Sequence, residues 1–372
     1  MVCSTYPSGP VFLGRVHLRQ DRHVGTRLDL TPVELADVLA GEPSYRAAQV
    51  WRGLHQGLDP GEMTDLPLAL RDRLAESLPP GLSLAATSTS GDGGTVKWLW
   101  GLADGSAVET VLMHYPERST VCISTQAGCA MACSFCATGQ AGFRRHLTTG
   151  EIVEQVVRAR RAVLPRRLSN VVFMGMGEPL ANYGPVWAAV ERLHDELGIS
   201  ARHLTVSTVG LVPGILRLAV ERLPVNLAVS VHAANDDLRD RLVPINRRWP
   251  LPVLMDACRN YIDAKGRRLS FEWALIDGVN DRPSDANELA GLARPLAAHV
   301  NLIPLNPTPG FLTRGTPSAG VQAFRDRLRA RGVNTTVRRN RGTDIDAACG
   351  QLSAGFAGGA SVVVRAKPAS EP

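Results

Sequence analysis

The sequence has no long apolar segment and no recognisable leader, and both absences argue against a membrane-spanning or exported protein. No stretch approaches the roughly 20 apolar residues that a bilayer-spanning helix needs. Residues 1–14 lack the basic start, apolar core and small-residue cleavage site of a signal peptide. We therefore expect a cytoplasmic protein with no membrane partner.

Cysteine is scarce. The chain has only seven, an odd number, and three of them fall within eight residues. A disulfide framework is typical of short exported chains with paired cysteines, so this count argues against one. In a cytoplasmic protein such crowding indicates a metal or redox site.

Acidic residues are fewer than basic ones, which leaves a net charge of +6 and a pI of about 9.1. This balance favours a polyanionic partner such as nucleic acid, although an arginine-rich composition also arises from genome bias. The length of 372 residues accommodates one large domain with small appendages.

The first part of the chain has a helical pattern. Thr31-Pro32-Val33-Glu34 combines an N-cap, a proline at the first helical position and a capping-box glutamate, and further helices are expected at 45–57 and 66–78. We assign residues 30–86 to a small helical domain. Residues 1–29 receive no assignment, a disordered start being one interpretation. Strands at 95–102 and 107–113 flank Asp104-Gly105, which predicts a β-hairpin connector over 87–114.

From residue 115 onwards strands alternate with helices. Strands are predicted at 120–125, 170–175, 203–208, 226–231, 270–275 and 299–303, with a capped helix at 148–164. Six such units predict an α/β fold with a parallel sheet over 115–310, either curved into part of a barrel or doubly wound. Residues 311–372 form a C-terminal extension with a helix at 319–331 and a strand at 334–338.

The crowded cysteines stand in the run Cys129-Ala-Met-Ala-Cys133-Ser-Phe-Cys136, between a predicted strand and a helix. Iron–sulfur cubanes usually have four cysteine ligands, so three thiolates would leave one iron open to the amino and carboxylate groups of S-adenosylmethionine (SAM). The alternatives are a zinc site completed by His146 or three unrelated buried thiols. Zinc sites usually pair two CxxC units, and no second pair follows here.

Small or polar residues follow the other predicted strands. They are the run Gly175-Met-Gly177-Glu178-Pro179, Ser207 with Thr208, Ser230 with His232, and Asn306. Each alone could be a turn residue or a helix cap. Active sites of β/α barrels lie at the carboxyl ends of the strands. The repeated occurrence of small or polar residues directly after the strands therefore predicts a SAM site there.

The remaining cysteines have no metal-ligand spacing. A lone cysteine is usually a small buried hydrophobe, and spacing alone favours that interpretation for Cys122, Cys258 and Cys349.

Six motifs occur in order within residues 30–355. They are 126–143, Met174-Gly-Met-Gly-Glu-Pro-Leu180, Ser230-Val-His232, Val243-Pro-Ile-Asn246, Asn301-Leu-Ile-Pro-Leu-Asn-Pro307 and Arg341-Gly-Thr-Asp-Ile-Asp-Ala-Ala-Cys-Gly-Gln-Leu352. Together they resemble the RlmN/Cfr family of radical SAM RNA methyltransferases, and the RlmN branch most closely. The resemblance implies a partial (β/α)6 radical SAM barrel with a small N-terminal helical domain and a C-terminal extension.

The same resemblance implies methylation of adenine C2 in 23S rRNA and in tRNA, with two SAM molecules per turnover. Cys129, Cys133 and Cys136 would hold one [4Fe-4S] cluster. One SAM would methylate Cys349, and the second would yield a 5′-deoxyadenosyl radical that takes hydrogen from this methyl group, so that the carbon radical adds to adenine.

Two further residues have roles by this resemblance. Cys122 would resolve the adduct and end in a transient disulfide with Cys349, and Glu109 would act as a proton acceptor. SAM contacts would come from seven positions: Gly177, Glu178, Ser207, Ser230, Val231, His232 and Asn306.

The partners implied are RNA and an electron donor such as flavodoxin or ferredoxin. The N-terminal helical domain would engage RNA, and phosphate contacts would come from basic groups. These groups are Arg144-Arg145, residues 158–161, Arg247-Arg248 and Arg338-Arg339.

Two other functions are considered. A Cfr-type enzyme would methylate adenine C8, but Gly177-Glu178-Pro179 and the run that begins at Arg341 favour the C2 type. A zinc-stabilised RNA-binding module would be colourless after anaerobic purification, whereas a protein with a cluster would be brown.

Overall fold

The computed structural model describes residues 25–306, 308, 311, 313–338 and 340–353. The expectations for residues 1–24, for Arg339 and for the end of the C-terminal extension lie outside these residues.

Three helices come first: α1 (Pro32–Val38), α2 (Tyr45–Gln56) and α3 (Leu68–Ser77). The predicted capping box of α1 is present, because the Thr31 hydroxyl accepts from Glu34 N and the Glu34 carboxylate accepts from Thr31 N. Gly57 ends α2 in the left-handed conformation. Apolar side chains of all three helices belong to the same buried cluster as the core of the sheet.

A three-stranded antiparallel ribbon follows, made of β1 (Ser83–Thr89), β2 (Thr95–Gly101) and β3 (Ala107–His114). The hairpin of β2 and β3 turns at Asp104-Gly105 as predicted. Strand β1 is a correction, since residues 83–86 were assigned to the helical domain. Its side chains are mostly exposed, so it lacks the apolar alternation by which strands are predicted.

Strand β4 (Ser119–Cys122) joins this ribbon to the parallel part of the same sheet, and β5 (Gln126–Gly128) pairs with β6 (Phe143–His146) in a small separate sheet. The other parallel strands are β7 (Leu168–Phe173), β8 (Leu204–Thr208), β9 (Asn226–Ser230), β10 (Ser270–Leu275), β11 (His299–Pro304) and β12 (Thr335–Val337). From β4 to β12 the parallel strands lie side by side in chain order. A doubly wound sheet would reverse that order, so the fold is a partial barrel of six β/α units, to which β12 adds one more parallel strand.

The remaining helices surround this sheet. They are α4 (Ala137–Gln140), α5 (Thr149–Ala162), α6 (Tyr183–Asp195), α7 (Val212–Val220), α8 (Asp236–Leu242), α9 (Leu251–Lys265), α10 (Pro283–Ala293) and α11 (Ser318–Ala330). Short 3-10 helices lie at Pro60–Glu62, Pro179–Asn182, Ala201–His203, Pro244–Arg247, Arg294–Leu296 and Thr343–Ile345. The predicted capping box of Thr148 and Glu151 starts α5.

The core lies between the sheet and its helices, with Phe173, Phe271 and Trp273 fully buried on strands. Cys258 on α9 is also fully buried, as predicted for a core thiol. Within the described residues, every helix is too short or too polar to cross a bilayer.

Candidate active site

The loop that carries Cys129, Cys133 and Cys136 is closed at its base by strands β5 and β6. Gly128, the last residue of β5, has a φ of 76°, and a Cβ there would lie 1.9 Å from the Gly142 carbonyl oxygen. Only glycine fits this position without a backbone shift. The same oxygen accepts a hydrogen bond from Cys129 N at 2.8 Å. One short hairpin therefore fixes both ends of the loop.

All three thiols of this loop line one cavity. Burial raises the pKa of Cys129 to about 12 and holds the pKa of Cys133 well above its usual range, and the other sulfurs of the loop add to both shifts. A bound metal would lower these pKa values, because coordination holds a thiol as its thiolate. Three soft sulfur ligands on one loop, facing one space, fit an iron–sulfur cluster.

A zinc site fits less well. Among the described residues, no three His, Cys, Asp or Glu side chains converge on the position of a single ion, as zinc requires, whereas each thiolate of a cubane binds a different iron. His146, the candidate fourth zinc ligand, is exposed on β6, and its Nδ1 accepts from Gln126 Nε2 at 3.0 Å. It does not line the cavity of the three cysteines.

The cavity lies at the carboxyl ends of the parallel strands and contains about 1010 Å³ of space, part of it open to solvent. This volume is sufficient for a ligand of the size of SAM. Six of the seven predicted SAM contacts line it: Gly177, Glu178, Ser207, Ser230, His232 and Asn306. Val231 does not; it is fully buried, and its carbonyl accepts from Arg239 Nε at 3.1 Å.

Glu178 is held where its carboxylate faces this cavity. Its oxygens accept hydrogen bonds from Val209 N at 2.9 Å and Leu180 N at 3.0 Å. The preceding Gly177 has a φ of 104°, and a Cβ on it would lie 2.6 Å from Gln126 Cβ. Burial raises the pKa of Glu178 to about 7 in spite of the hydrogen bonds. Above that pH the carboxylate can pair with a ligand ammonium group.

His232 is a neutral donor in the cavity wall. Its φ of 59° is uncommon for a residue other than glycine, and Asn280 Nδ2 holds the strained backbone by donating to the His232 carbonyl at 2.8 Å. The ring accepts from Ala274 N through Nδ1 at 2.9 Å and packs edge-on against Phe135. Burial and then the charge of Arg239 lower the pKa of His232 to about 3. With Nδ1 accepting, Nε2 carries the proton.

Residues 341–353, here called the Cys349 strap, are held beside the cysteine loop by hydrogen bonds to their backbone carbonyls. Ala137 N, in the helix that follows the loop, donates to Gly350 O at 2.8 Å. Asn306 Nδ2 donates to Cys349 O at 3.1 Å. The Cys349 side chain consequently lines the same cavity as the three loop cysteines.

A second cavity is lined by both Cys349 and Cys122. Burial raises the pKa of Cys122 to about 12; the nearby Cys349 sulfur adds to this shift and the Arg338 guanidinium opposes it. Spacing alone favoured two unrelated core thiols, whereas a shared cavity agrees with the pairing implied by the family resemblance. Their roles stay a prediction.

Arg338 lines both cavities. Its half-buried guanidinium lies near the Cys349 sulfur, the Glu272 carboxylate and the Cys122 sulfur, and the RNA-phosphate contact expected of it stays a prediction. These three groups raise its pKa against the effect of burial.

Three other arginines predicted to contact phosphate are paired with carboxylates of this chain. The pairs are Arg145 with Glu151 at 2.8 Å, Arg158 with Glu154 at 2.9 Å and Arg161 with Glu62 at 2.5 Å. Their charge is already partly neutralised. Arg144, Arg160, Arg247 and Arg248 are exposed, and the predicted phosphate contacts depend chiefly on these four arginines.

Glu109 lines neither of these cavities. Its Oε1 lies 3.0 Å from Lys97 Nζ, and its Oε2 accepts from Ser353 N at 2.9 Å. The carboxylate predicted as a proton acceptor is thus engaged with the Cys349 strap.

Sequence reasoning missed Glu272, a buried carboxylate of β10 that lines the first cavity. Ser270 Oγ and Asn301 Nδ2 donate to its two oxygens at 2.9 and 2.7 Å, and burial raises its pKa. A signal was available, since Glu272 is the only charged residue of a strand that is apolar apart from Ser270. Lys97 is likewise the only charged residue of β2. Arg338 carries no such signal, because it follows the last strand and arginines are common along this chain.

Known proteins resemble the chain over most of its length. Residues 123–290 match the radical SAM superfamily. A probable dual-specificity RNA methyltransferase RlmN of Parafrankia sp. is 52% identical over 95% of this chain and 97% of its own length. A protein of the same description from Salinispora tropica is 55% identical, over 84% of this chain and 88% of its own. The crystal structure of a radical SAM methyltransferase from Sphaerobacter thermophilus is 51% identical, with a TM-score of 0.86 over 88% of this chain and 99% of its own.

Proposed function

Because the chain belongs to the RlmN family of radical SAM RNA methyltransferases, we propose that it methylates carbon C2 of an adenine in 23S rRNA and in tRNA. The position of Cys349 carries this proposal: it lines one cavity with the three loop cysteines and another with Cys122. The electron-poor C2 of adenine does not attack a sulfonium methyl group directly, so a thiol that receives the methyl group first has a clear use. The dual-specificity description of the relatives supports more than one RNA substrate, and the two RNA classes are those that the family resemblance implies.

Two groups of residues would hold the cofactors. Cys129, Cys133 and Cys136 would bind a [4Fe-4S] cluster. When bound, the cluster supplies one electron, received from a donor such as flavodoxin or ferredoxin, that cleaves SAM to a 5′-deoxyadenosyl radical. Glu178 would pair with the ammonium group of SAM, and His232 Nε2 would donate a hydrogen bond from the cavity wall.

Cys349, which lines both cavities, and Cys122, which lines the second, would carry out successive steps of the reaction. Cys349 would give up its proton and take the methyl group of a first SAM, and a second SAM would be used to activate that methyl group. Once the methylene carbon joins Cys349 to adenine C2, the radical adduct would give up one electron to an oxidised carrier such as flavodoxin or ferredoxin and lose its C2 proton to Cys122. The Cys122 sulfur would then attack the Cys349 sulfur while its proton passes to the methylene carbon. The carbon–sulfur bond breaks with its electron pair on that carbon, which becomes the methyl group, and a Cys122–Cys349 disulfide remains for an external reductant.

The test is a Cys349→Ala variant with Cys258→Ala as the matched control. Both proteins are reconstituted without oxygen, given SAM, reductant and bulk RNA, and assayed by mass spectrometry of the nucleosides. We expect both to hold iron and only the control to form 2-methyladenosine. Retained transfer by Cys349→Ala would remove the S-methylcysteine route, and 8-methyladenosine from the wild type would contradict the C2 assignment.

A further inference from the structure

The Cys349 strap is hydrogen-bonded to the antiparallel ribbon at its start, where Gly91 N donates to Asp344 Oδ2 at 2.8 Å and Arg341 Nη1 donates to His114 O at 3.1 Å. An ion pair of the ribbon contacts the strap on both sides of Cys349. Lys97 Nζ donates to Asp346 O at 3.1 Å and lies 3.0 Å from Glu109 Oε1. Glu109 Oε2 in turn accepts from Ser353 N at 2.9 Å. The pair therefore connects the two ends of residues 346–353, and Cys349 lies near the middle of that segment.

The register of the ribbon explains why these side chains face the strap. On β2 and β3, Lys97 is opposite Val111 and Leu99 is opposite Glu109. Because side chains alternate along a strand, Lys97, Glu109 and Val111 share one face. Cys122 on β4 is opposite Val111, so it shares this face as well. The same surface therefore presents both the Cys122 thiol and the ion pair to the strap.

Both members of the pair are largely withdrawn from solvent, with 13% of the Lys97 side chain and 6% of the Glu109 side chain exposed. Removal of either partner would leave an uncompensated buried charge. The strap groups that they contact, Asp346 O and Ser353 N, are backbone atoms. The contacts consequently restrain the path of the chain and not a particular strap side chain.

We propose that Lys97 and Glu109 form a clasp that sets the path of residues 346–353 and so the position of the Cys349 sulfur. In this arrangement Glu109 is a positioning residue and not the proton acceptor that the family resemblance implies. Its carboxylate is occupied by Lys97 and Ser353 N and lines neither of the two cavities where Cys349 is found. The inference rests on the proposed role of Cys349.

The test compares Lys97→Met and Glu109→Ala with the conservative Lys97→Arg in the reconstituted enzyme. Arg222→Ala, which removes a surface ion pair with Glu191, is the matched control. Hydrogen–deuterium exchange of the amides of residues 346–353 reports the path of the strap. Mass spectrometry of the Cys349 peptide, with SAM and no RNA, reports the first methyl transfer.

We expect Lys97→Met and Glu109→Ala to raise the exchange rates about tenfold or more. Methylation of Cys349 should slow by about 10- to 100-fold, because an ångström of misplacement has effects of that order. Lys97→Arg and Arg222→Ala should both keep the exchange rates and the Cys349 methylation rate of the wild type. Should Glu109→Ala fail to fold, Glu109→Gln keeps an acceptor for Ser353 N and allows the same comparison.

Two results would overturn the clasp. One is unchanged strap exchange in Lys97→Met. The other is a Glu109→Ala enzyme that methylates Cys349 at the wild-type rate and then accumulates the Cys349–adenine crosslink, which would identify Glu109 as a proton acceptor. If the wild type itself never methylates Cys349, the proposed function fails, while the exchange rates still decide the clasp.

Discussion

Two groups of cysteines in this protein are built in different ways. The trio Cys129, Cys133 and Cys136 lies on one loop, which the β5–β6 hairpin closes at its base. The pair Cys122 and Cys349 comes from a strand of the sheet and from the strap, which meet only through tertiary packing. The proposed cluster ligands, which need a fixed mutual spacing, are thus encoded in one short segment, whereas the two thiols proposed to react one after the other come from separate elements.

The electrostatic surroundings of the two groups differ as well. In the trio, burial and to a smaller extent the Glu178 carboxylate disfavour the thiolates of Cys129 and Cys133. The pair faces the Arg338 guanidinium, which favours the thiolate of Cys122. A bound cluster would therefore supply most of the positive charge at the trio, whereas the Arg338 guanidinium supplies it at the pair.

The largest effect is expected from Cys133→Ala, which removes one member of the trio. A loop with two thiols should not retain the cluster, so the variant should lose its visible absorbance and most of its iron, and RNA methylation should fall below detection. Iron and sulfide analysis after anaerobic reconstitution measures this. Cys258→Ala, a buried thiol outside both cavities, should keep its iron at a loss of about 1 kcal/mol of stability. Full iron content in Cys133→Ala would show that the cluster does not need all three cysteines of the trio.

A smaller effect is expected from Arg338→Gln, which removes the positive charge beside the pair. Because Arg338 opposes the burial that raises the pKa of Cys122, its loss should raise that pKa further. The methylation rate at pH 7 should fall by about 10- to 100-fold, one pKa unit being tenfold, and the rise of the rate with pH should move to higher pH. Arg338→Lys should keep most of the rate, and both variants should keep their iron. A pH–rate profile identical to that of the wild type would show that the pair does not depend on this charge.

The smallest effect is expected for Glu178, which lines the same cavity as the trio, and it concerns the pH dependence of SAM binding. Glu178 has a pKa of about 7 raised by burial, so its carboxylate is ionised above that pH and protonated below it. The attraction for an ammonium group is then lost as the pH falls, and the reconstituted enzyme should bind SAM up to about tenfold more tightly at pH 8 than at pH 6. Calorimetric titrations at both pH values measure this. Glu178→Gln should remove this pH dependence of SAM affinity. The control Glu42→Gln, which changes a partly exposed carboxylate, should leave it intact. If the pH dependence persisted in Glu178→Gln, another group would be responsible for it.

Local patterns in the sequence were sufficient for most of the fold. The capping box of Thr148 and Glu151 and the six strands are set by interactions between neighbours and by apolar periodicity, so their positions could be predicted closely. Strand β1 escaped prediction because its side chains are mostly exposed, and it is a strand only through its pairing with β2. The position of Arg338 beside both cavities could not be predicted, because an arginine near the end of the chain carries no local sign of burial.

The parallel α/β architecture, the three-thiol loop and the polar residues at the strand ends could be predicted from the sequence, because each depends on residues that are close along the chain. The shared cavity of Cys349 and Cys122, the position of Arg338 near their sulfurs and the contact of Glu109 with the strap are seen only in the folded chain. These contacts join segments distant in sequence, and their energies come from burial and from pairing of charges. Neither burial nor charge pairing exists until the antiparallel ribbon, the barrel and the strap pack together.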